Sequence, residues 1–171
     1  MQFVLPICRK SMQPQKSEVV KSWEIVFPND TNPHGTMFGG KMMAEMDKIA
    51  AIAAARYAEK AVVTASTEAI IFKRPVKVGD RIQVVAKVVW TGTTSMVVKV
   101  DVFSEDPINC QTQHCTTARF NFVALDEAGK PTPVPPLLVE TDEEKRQHEL
   151  AEFVIKQALE RKKKAAEVKK S

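Results

Sequence analysis

One carboxylate stands where an apolar helix would bury it. The run GKMMAEMDKIAAIAAARY, residues 40–57, repeats apolar residues at Met42, Met46, Ile49 and Ala53, and again at Met43, Ala50, Ala54 and Tyr57. Two adjoining stripes predict a helix buried on more than one side. Three and four positions from Asp47 stand Met43, Ala44, Ala50 and Ala51, all uncharged, whereas Glu45 has Lys41 and Lys48 within reach. A carboxylate buried without a partner costs several kcal/mol unless it stays protonated or finds donors elsewhere. Asp47 is therefore expected either to hydrogen-bond a loop or strand edge, or to act as a general base or nucleophile with a raised pKa. The turn before the helix, DTNPHGTMFGG, favours the second. Asn32 can donate and accept, and Gly39 and Gly40 mark a close approach or a positive φ. A helix N-terminus at Gly40 offers free N–H groups to an anion or a developing oxyanion. A positioning amide, an oxyanion hole and a carboxylate two turns inside the helix suit attack of water on a carbonyl.

Glu68, in TASTEAI, is the competing acid, expected in mid-strand on the same side as Thr64 and Ser66. His34 reads as a loop residue. Cys8, Cys110 and Cys115 contain no C-x-x-C pair and suggest neither a disulfide framework nor a zinc site, and with three scattered histidines no metal is expected. The net charge of +4 is a property of the end of the chain: residues 161–170 hold six basic groups and one acid, against 19 basic and 20 acidic groups in the first 160 residues. That distribution argues against nucleic acid as a partner and for a solvated tail. No apolar run approaches the roughly 20 residues that cross a bilayer. The segment FVLPIC is short for a signal-peptide core and is followed by Arg9 and Lys10. The chain reads as soluble and cytoplasmic.

The elements that must position these groups follow from spacing. EVVKSWEIVF, residues 18–27, places Val19, Trp23, Ile25 and Phe27 on one side of a strand. After the helix come VVTASTEAIIF (62–72), RIQVVAKVVW (81–90), SMVVKVDVF (95–103) and CTTARFNFVAL (115–125), each alternating at spacing two. Short connections such as TGTT join them, and no helix separates them. The order predicts an α+β fold, an antiparallel sheet wrapped around one long helix. GKPTPVPPLL (129–138) is a linker or an extended strap. TDEEKRQHELAEFVIKQALERKKK opens with a Thr-x-x-Glu capping pattern and predicts a charged helix, apolar at Leu150, Phe153, Val154 and Leu159. The organisation expected is an N-terminal extension (1–17), a folded domain (18–128), and a proline-rich linker with a basic helical tail (129–171).

Three blocks, PNDTNPHGTMFGGKMMAEMD, VVTASTEAIIFKRPVKVGD and GTTSMVVKVDVF, resemble in order and spacing the hot-dog-fold acyl-CoA thioesterases of the YciA-like or cytosolic acyl-CoA hydrolase branch. The resemblance covers roughly residues 18–126. It implies a helix wrapped by an antiparallel sheet, homodimers joined edge to edge, and a hexamer built as a trimer of dimers. It further implies active sites at the dimer interface, with Asn32 of one subunit facing Asp47 of the other and Gly40 as the backbone donor. Contacts to coenzyme A are expected from Gly39, Lys73, Arg74, Thr94 and Ser95. Many relatives carry Arg where this chain has Thr93, which leaves Lys73 and Arg74 as the nearest basic groups.

The reaction expected is hydrolysis of a fatty acyl-CoA to a free acid and coenzyme A, with Asp47 as base or nucleophile and no metal or redox cofactor. Two other readings stay open. One is an acyl-CoA-binding sensor without turnover; the other is a dehydratase on the same scaffold, which would want a histidine base.

Overall fold

The computed structural model describes residues 12–168; the expectations for Cys8, for FVLPIC and for the last residues of the tail fall outside the described residues. The elements are β1 (Val20–Ile25), a 3-10 turn (Pro28–Asp30), α1 (Gly39–Ala58), β2 (Ala61–Thr67), β3 (Arg81–Thr91), β4 (Ser95–Glu105), β5 (Thr112–Leu125) and α2 (Asp142–Val168). Neighbouring strands are all antiparallel in the order β1-β3-β4-β5-β2, so β1 and β2 are the two edges. This is the predicted sheet on a long helix.

Alternation decides which face is the core. Met96, Val98, Val100 and Val102 of β4 all point inward and are fully buried, as are Ile82 and Ala86 of β3 and Phe122 of β5. Against them α1 lays Met42, Met46, Ala50, Ala53, Ala54 and Tyr57. Its alanines let the helix backbone come close to the strands, while Met46 and Phe122, both 0% exposed, each contribute about 1.5–3 kcal/mol of burial. The helix ends at Glu59, whose left-handed backbone (φ 51°) directs its N–H to the carbonyl of Ala55 at 2.8 Å.

The proline-rich segment is an extended strap. The N–H groups of Thr132 and Val134 bond the carbonyls of Ala124 and Thr93, and Tyr57 donates its hydroxyl to the carbonyl of Pro135 at 3.2 Å. Burial pushes that phenol up to about 12. The strap delivers the chain to the outer face of the sheet, where α2 begins with the expected capping box: Glu144 N–H bonds Thr141 Oγ1 at 3.2 Å and Thr141 N–H bonds Glu144 Oε2 at 3.1 Å.

One expectation, the extent of β2, is corrected, and two apolar stripes take positions that their spacing left open. The helix α2 docks through Ala151, fully buried on Val89 and Val97 with Trp90 and Ile155 alongside, while Leu150, Phe153 and Leu159 are exposed. A small side chain permits the close crossing that the large ones would block. The ladder of β2 ends at Thr67 instead of continuing to residue 72. Beyond it the chain follows β5 by isolated bonds, such as Lys73 N–H to the carbonyl of Cys115 at 2.9 Å. On β1 the residues that face the core side are Val20 and, just past the strand, Val26, whereas Val19, Trp23, Ile25 and Phe27 are all about half exposed. Among the described residues no helix is long and apolar enough to cross a membrane.

Candidate active site

The segment between β1 and α1 is held at both ends by Asp30. Its Oδ2 accepts the N–H of Phe27 at 3.0 Å and its carbonyl accepts the N–H of Phe38 at 2.8 Å. Between them Asn32 folds a tight turn over Gly35, the residue whose φ of +72° calls for glycine. The half-buried Asn32 side chain is engaged inside that turn. Its Oδ1 accepts the N–H of His34 at 2.9 Å and of Thr36 at 3.3 Å, and its Nδ2 donates to Thr36 Oγ1 at 2.9 Å. These bonds fix where the asparagine stands. His34 is an exposed loop residue, as expected.

The helix then starts at Gly39 with Phe38 as N-cap and no side-chain cap, so the N–H groups of Gly39, Gly40 and Lys41 have no intrahelical acceptor. Neither glycine has a positive φ, which corrects one half of the expectation. The other half stands. A Cβ on Gly40 would lie 3.0 Å from the Phe38 ring, and one on Gly39 would lie 3.4 Å from the ring of Phe72. Two exposed aromatic rings thus flank the donors, and the helix dipole adds partial positive charge there.

Asp47 has the partner that α1 does not supply. Thr64 Oγ1 on β2 donates to Asp47 Oδ1 at 2.8 Å. Asp47 is half-buried in the single chain, not enclosed as the apolar neighbours suggested, because its flank of the helix looks past the edge strand β2, with Met43 beside it 41% exposed. The buried carboxylate of α1 is Glu45, paired as expected with Lys41 and Lys48. Glu45 and Asp47 project about 160° apart around the helix. Lys41, on the Glu45 flank, lies 3.4 Å from Asp30 Oδ1. One chain therefore carries the Asn32 loop on one flank of α1 and the Asp47–Thr64 pair on the other, and among the described residues no hydrogen bond or ion pair joins the two.

Glu68 does not share a side with Thr64. The pairing of β2 with β5 shifts register between Thr64 and Ser66, a bulge that reverses which face the following residues present. Glu68 consequently accepts Arg119 Nη1 at 3.1 Å on the outer face, where Arg119 also reaches Gln147 of α2 at 3.0 Å. It is a structural pair across the sheet from Asp47.

The residues expected to contact coenzyme A fall into separate groups. Lys73 and Arg74 are exposed near the far end of β4–β5, with Arg74 bonded to Gln113 at 2.7 Å. Thr94 and Ser95 sit at the β3–β4 turn, where the Thr94 carbonyl accepts the Ala124 N–H. Ser95 pairs with Val123 and Phe103 with His114, so the two groups are separated by most of a strand, roughly 26 Å. Gly39, at the helix start, lies on the side of Lys73 and Arg74, since a Cβ there would be 3.4 Å from the ring of Phe72, the residue before them. Sequence reasoning passed over Thr64 as a role-bearing residue; its signal was a β-branched hydroxyl on the strand that follows the helix.

The chain matches the Thioesterase superfamily over residues 34–111. It is 43% identical to the uncharacterized acyl-CoA thioester hydrolase YkhA of Bacillus subtilis, over 86% of this chain and 84% of that one. An acyl-CoA hydrolase from Staphylococcus aureus, solved with butyryl coenzyme A and coenzyme A, superposes with a TM-score of 0.81 at 40% identity, covering 88% of this chain and 92% of its own. An apo-hexameric acyl-CoA thioesterase gives a TM-score of 0.82 at 41% identity over 90% of this chain and 98% of that one. The S. aureus enzyme has also been solved with an asparagine, an aspartate or a threonine replaced by alanine. In it the asparagine and aspartate are 15 positions apart and the threonine lies 17 further on, the separations of Asn32, Asp47 and Thr64. With a hot-dog sheet around α1 and relatives of this identity along most of its length, the chain belongs to the acyl-CoA thioester hydrolases of the thioesterase superfamily.

Proposed function

We propose that the protein hydrolyses acyl-CoA thioesters and that its active site is shared between two subunits. The thioester carbonyl points at the N–H groups around Gly40, where the developing oxyanion is stabilised. Thr64 holds Asp47 Oδ1, which leaves Oδ2 to take a proton from the attacking water or to attack the carbonyl itself. Asn32 of the partner orients the water or the carbonyl. The C–S bond then breaks, the acid stays as carboxylate and coenzyme A leaves as the thiol. A thioester is already a reactive acyl donor, so the reaction as proposed uses no metal or redox cofactor.

The observation that carries the reading is the Asp47–Thr64 pair beside an exposed sheet edge, with uncapped helix amides on the same element. The edge of β2, with Val63 46% exposed, is where a second sheet is proposed to pair. That pairing lays the partner's Asn32 loop over Asp47. The half-exposed stripe of Trp23, Ile25 and Phe27 on the other edge then serves contact between dimers, as a trimer of dimers requires. Lys73 and Arg74 on one side and Thr94 and Ser95 on the other are proposed to reach the same nucleotide only from different subunits. A cytoplasmic location fits a substrate pool of acyl-CoA. A dehydratase is disfavoured by the histidines: His34 is an exposed loop residue, and His114 bonds Asp101 and Thr117 at 3.4 and 2.9 Å, away from Asp47.

The deciding experiment is thiol release from short-, medium- and long-chain acyl-CoA. Asp47→Asn is expected to lower kcat by about 100-fold or more while acyl-CoA binding is largely kept. Binding without turnover in the unmodified protein would favour the sensor instead.

A further inference from the structure

Asp47 is not the only carboxylate of α1 that requires an explanation. The Glu45 side chain is 5% exposed; Lys48 Nζ meets both of its oxygens, at 2.8 Å from Oε1 and 2.7 Å from Oε2, and Lys41 Nζ lies 3.3 Å from Oε1. Lys48 alone would neutralise it. Lys41 does something else as well, since its ammonium also lies 3.4 Å from Asp30 Oδ1. Asp30 in turn closes both ends of the segment that carries Asn32, through the N–H groups of Phe27 and Phe38. The Lys41 ammonium is held above the ordinary lysine range first by its hydrogen bond to Glu45 and next by the charge of Asp30. It therefore remains charged throughout the working pH range.

We infer that Glu45 is a positioning residue: anchored in the protein and linked through Lys41 to Asp30, it holds the loop that presents Asn32 and the first-turn amides of α1. The inference rests on the role proposed for Asn32 above. A charge buried at the root of the helix gives the link a fixed end, which an exposed carboxylate with free rotamers would not.

Lys48 provides a control within the same cluster, because it neutralises Glu45 but does not reach Asp30. Glu45→Gln and Lys41→Met are expected to lower kcat by about tenfold with KM nearly unchanged, the scale of a misplaced catalytic group. Lys48→Met is expected to lower Tm, because it removes the closer partner of a buried carboxylate, while kcat stays within about twofold since Lys41 still links Glu45 to Asp30. A second readout is independent of turnover. Amide exchange at His34 and Thr36, whose N–H groups bond Asn32 Oδ1, should quicken in Lys41→Met and Glu45→Gln but not in Lys48→Met.

Equal effects of the two lysine changes on kcat and exchange would overturn the inference, as would a Glu45→Gln protein with lower Tm but unchanged kcat and exchange. A raised KM at constant kcat in Lys41→Met would make that lysine a substrate contact and also overturn it. If Glu45→Gln does not fold, Lys41→Met, at a side chain 44% exposed, decides alone. Should the unmodified protein release no thiol, the proposed function fails, and the exchange measurement still decides whether the clamp holds the loop.

Discussion

Mixing two inactive variants tests whether the site is composite. Asn32→Ala and Asp47→Ala each remove one half, and the two residues lie on opposite flanks of α1, with Asn32 tied to His34 and Thr36 and Asp47 tied to Thr64. If each site takes Asn32 from one subunit and Asp47 from its partner, a mixed dimer has one site with both lesions and one with neither. Equal amounts and random pairing make about half of the dimers mixed and about a quarter of all sites intact, so activity should return to about a quarter of that of the unmodified protein. The assay is thiol release after subunits have been exchanged in mild denaturant and refolded, with two different tags recovered together as proof of exchange. Sites built within one chain would carry a lesion in every pairing. Exchange proved by the tags, with activity no higher than in either variant alone, would refute the shared site while leaving the hydrolase reading intact.

Thr64→Val keeps the shape of the strand residue and removes one hydrogen bond to a carboxylate; at about 1.5–3 kcal/mol for such a bond, kcat should fall by about tenfold or more. Unchanged kcat would show that the hydroxyl does not orient Asp47. The docking of α2 should weaken in acid, because Glu144 is held down to about 2, first by the Lys87 ammonium and then by the N–H groups of Thr141 and Glu140. A depressed carboxylate contributes stability that is present above its ordinary value near 4.5 and is lost as pH falls toward about 2. Fluorescence of Trp90, which lies under α2, should report that loss across this window, and Glu144→Gln should remove the pH dependence.

How far the sequence was legible differs from one element to the next. Helix α1 was readable because two apolar stripes exclude any other period, and β3, β4 and β5 because each alternates with one buried side. The bulge after Thr64 was not, since Ala, Ser and Thr around it fit a regular strand and a bulged one equally well. That single inserted residue moved Glu68 to the outer face and removed it as a rival to Asp47. The stripe on β1 was read correctly as a stripe, but spacing does not say whether an apolar side meets its own core or solvent. For Glu45 the sequence showed its lysines, and its burial depended on which flank of α1 met the rest of the chain. Thr64 stands 17 residues from Asp47, and no local pattern links a strand hydroxyl to a helix carboxylate at that distance.

The same geometry says why chemistry and assembly are proposed to be coupled. A helix that spends one side on a five-stranded sheet has two flanks left, and here one holds the Asn32 loop through Lys41 and Asp30 while the other reaches β2 through Thr64. The general base proposed at Asp47 would benefit from exclusion of water, yet Asp47 is only half-buried by its own chain. In the proposed dimer that cover comes from a surface laid across the β2 edge, where a second copy of this chain would bring, with its own sheet edge, the asparagine that the first copy holds on the other flank. A charged replacement at Val63, on that edge, should therefore remove activity and dimer together while the helix and its carboxylate remain folded, and a fully active monomer would contradict the coupling.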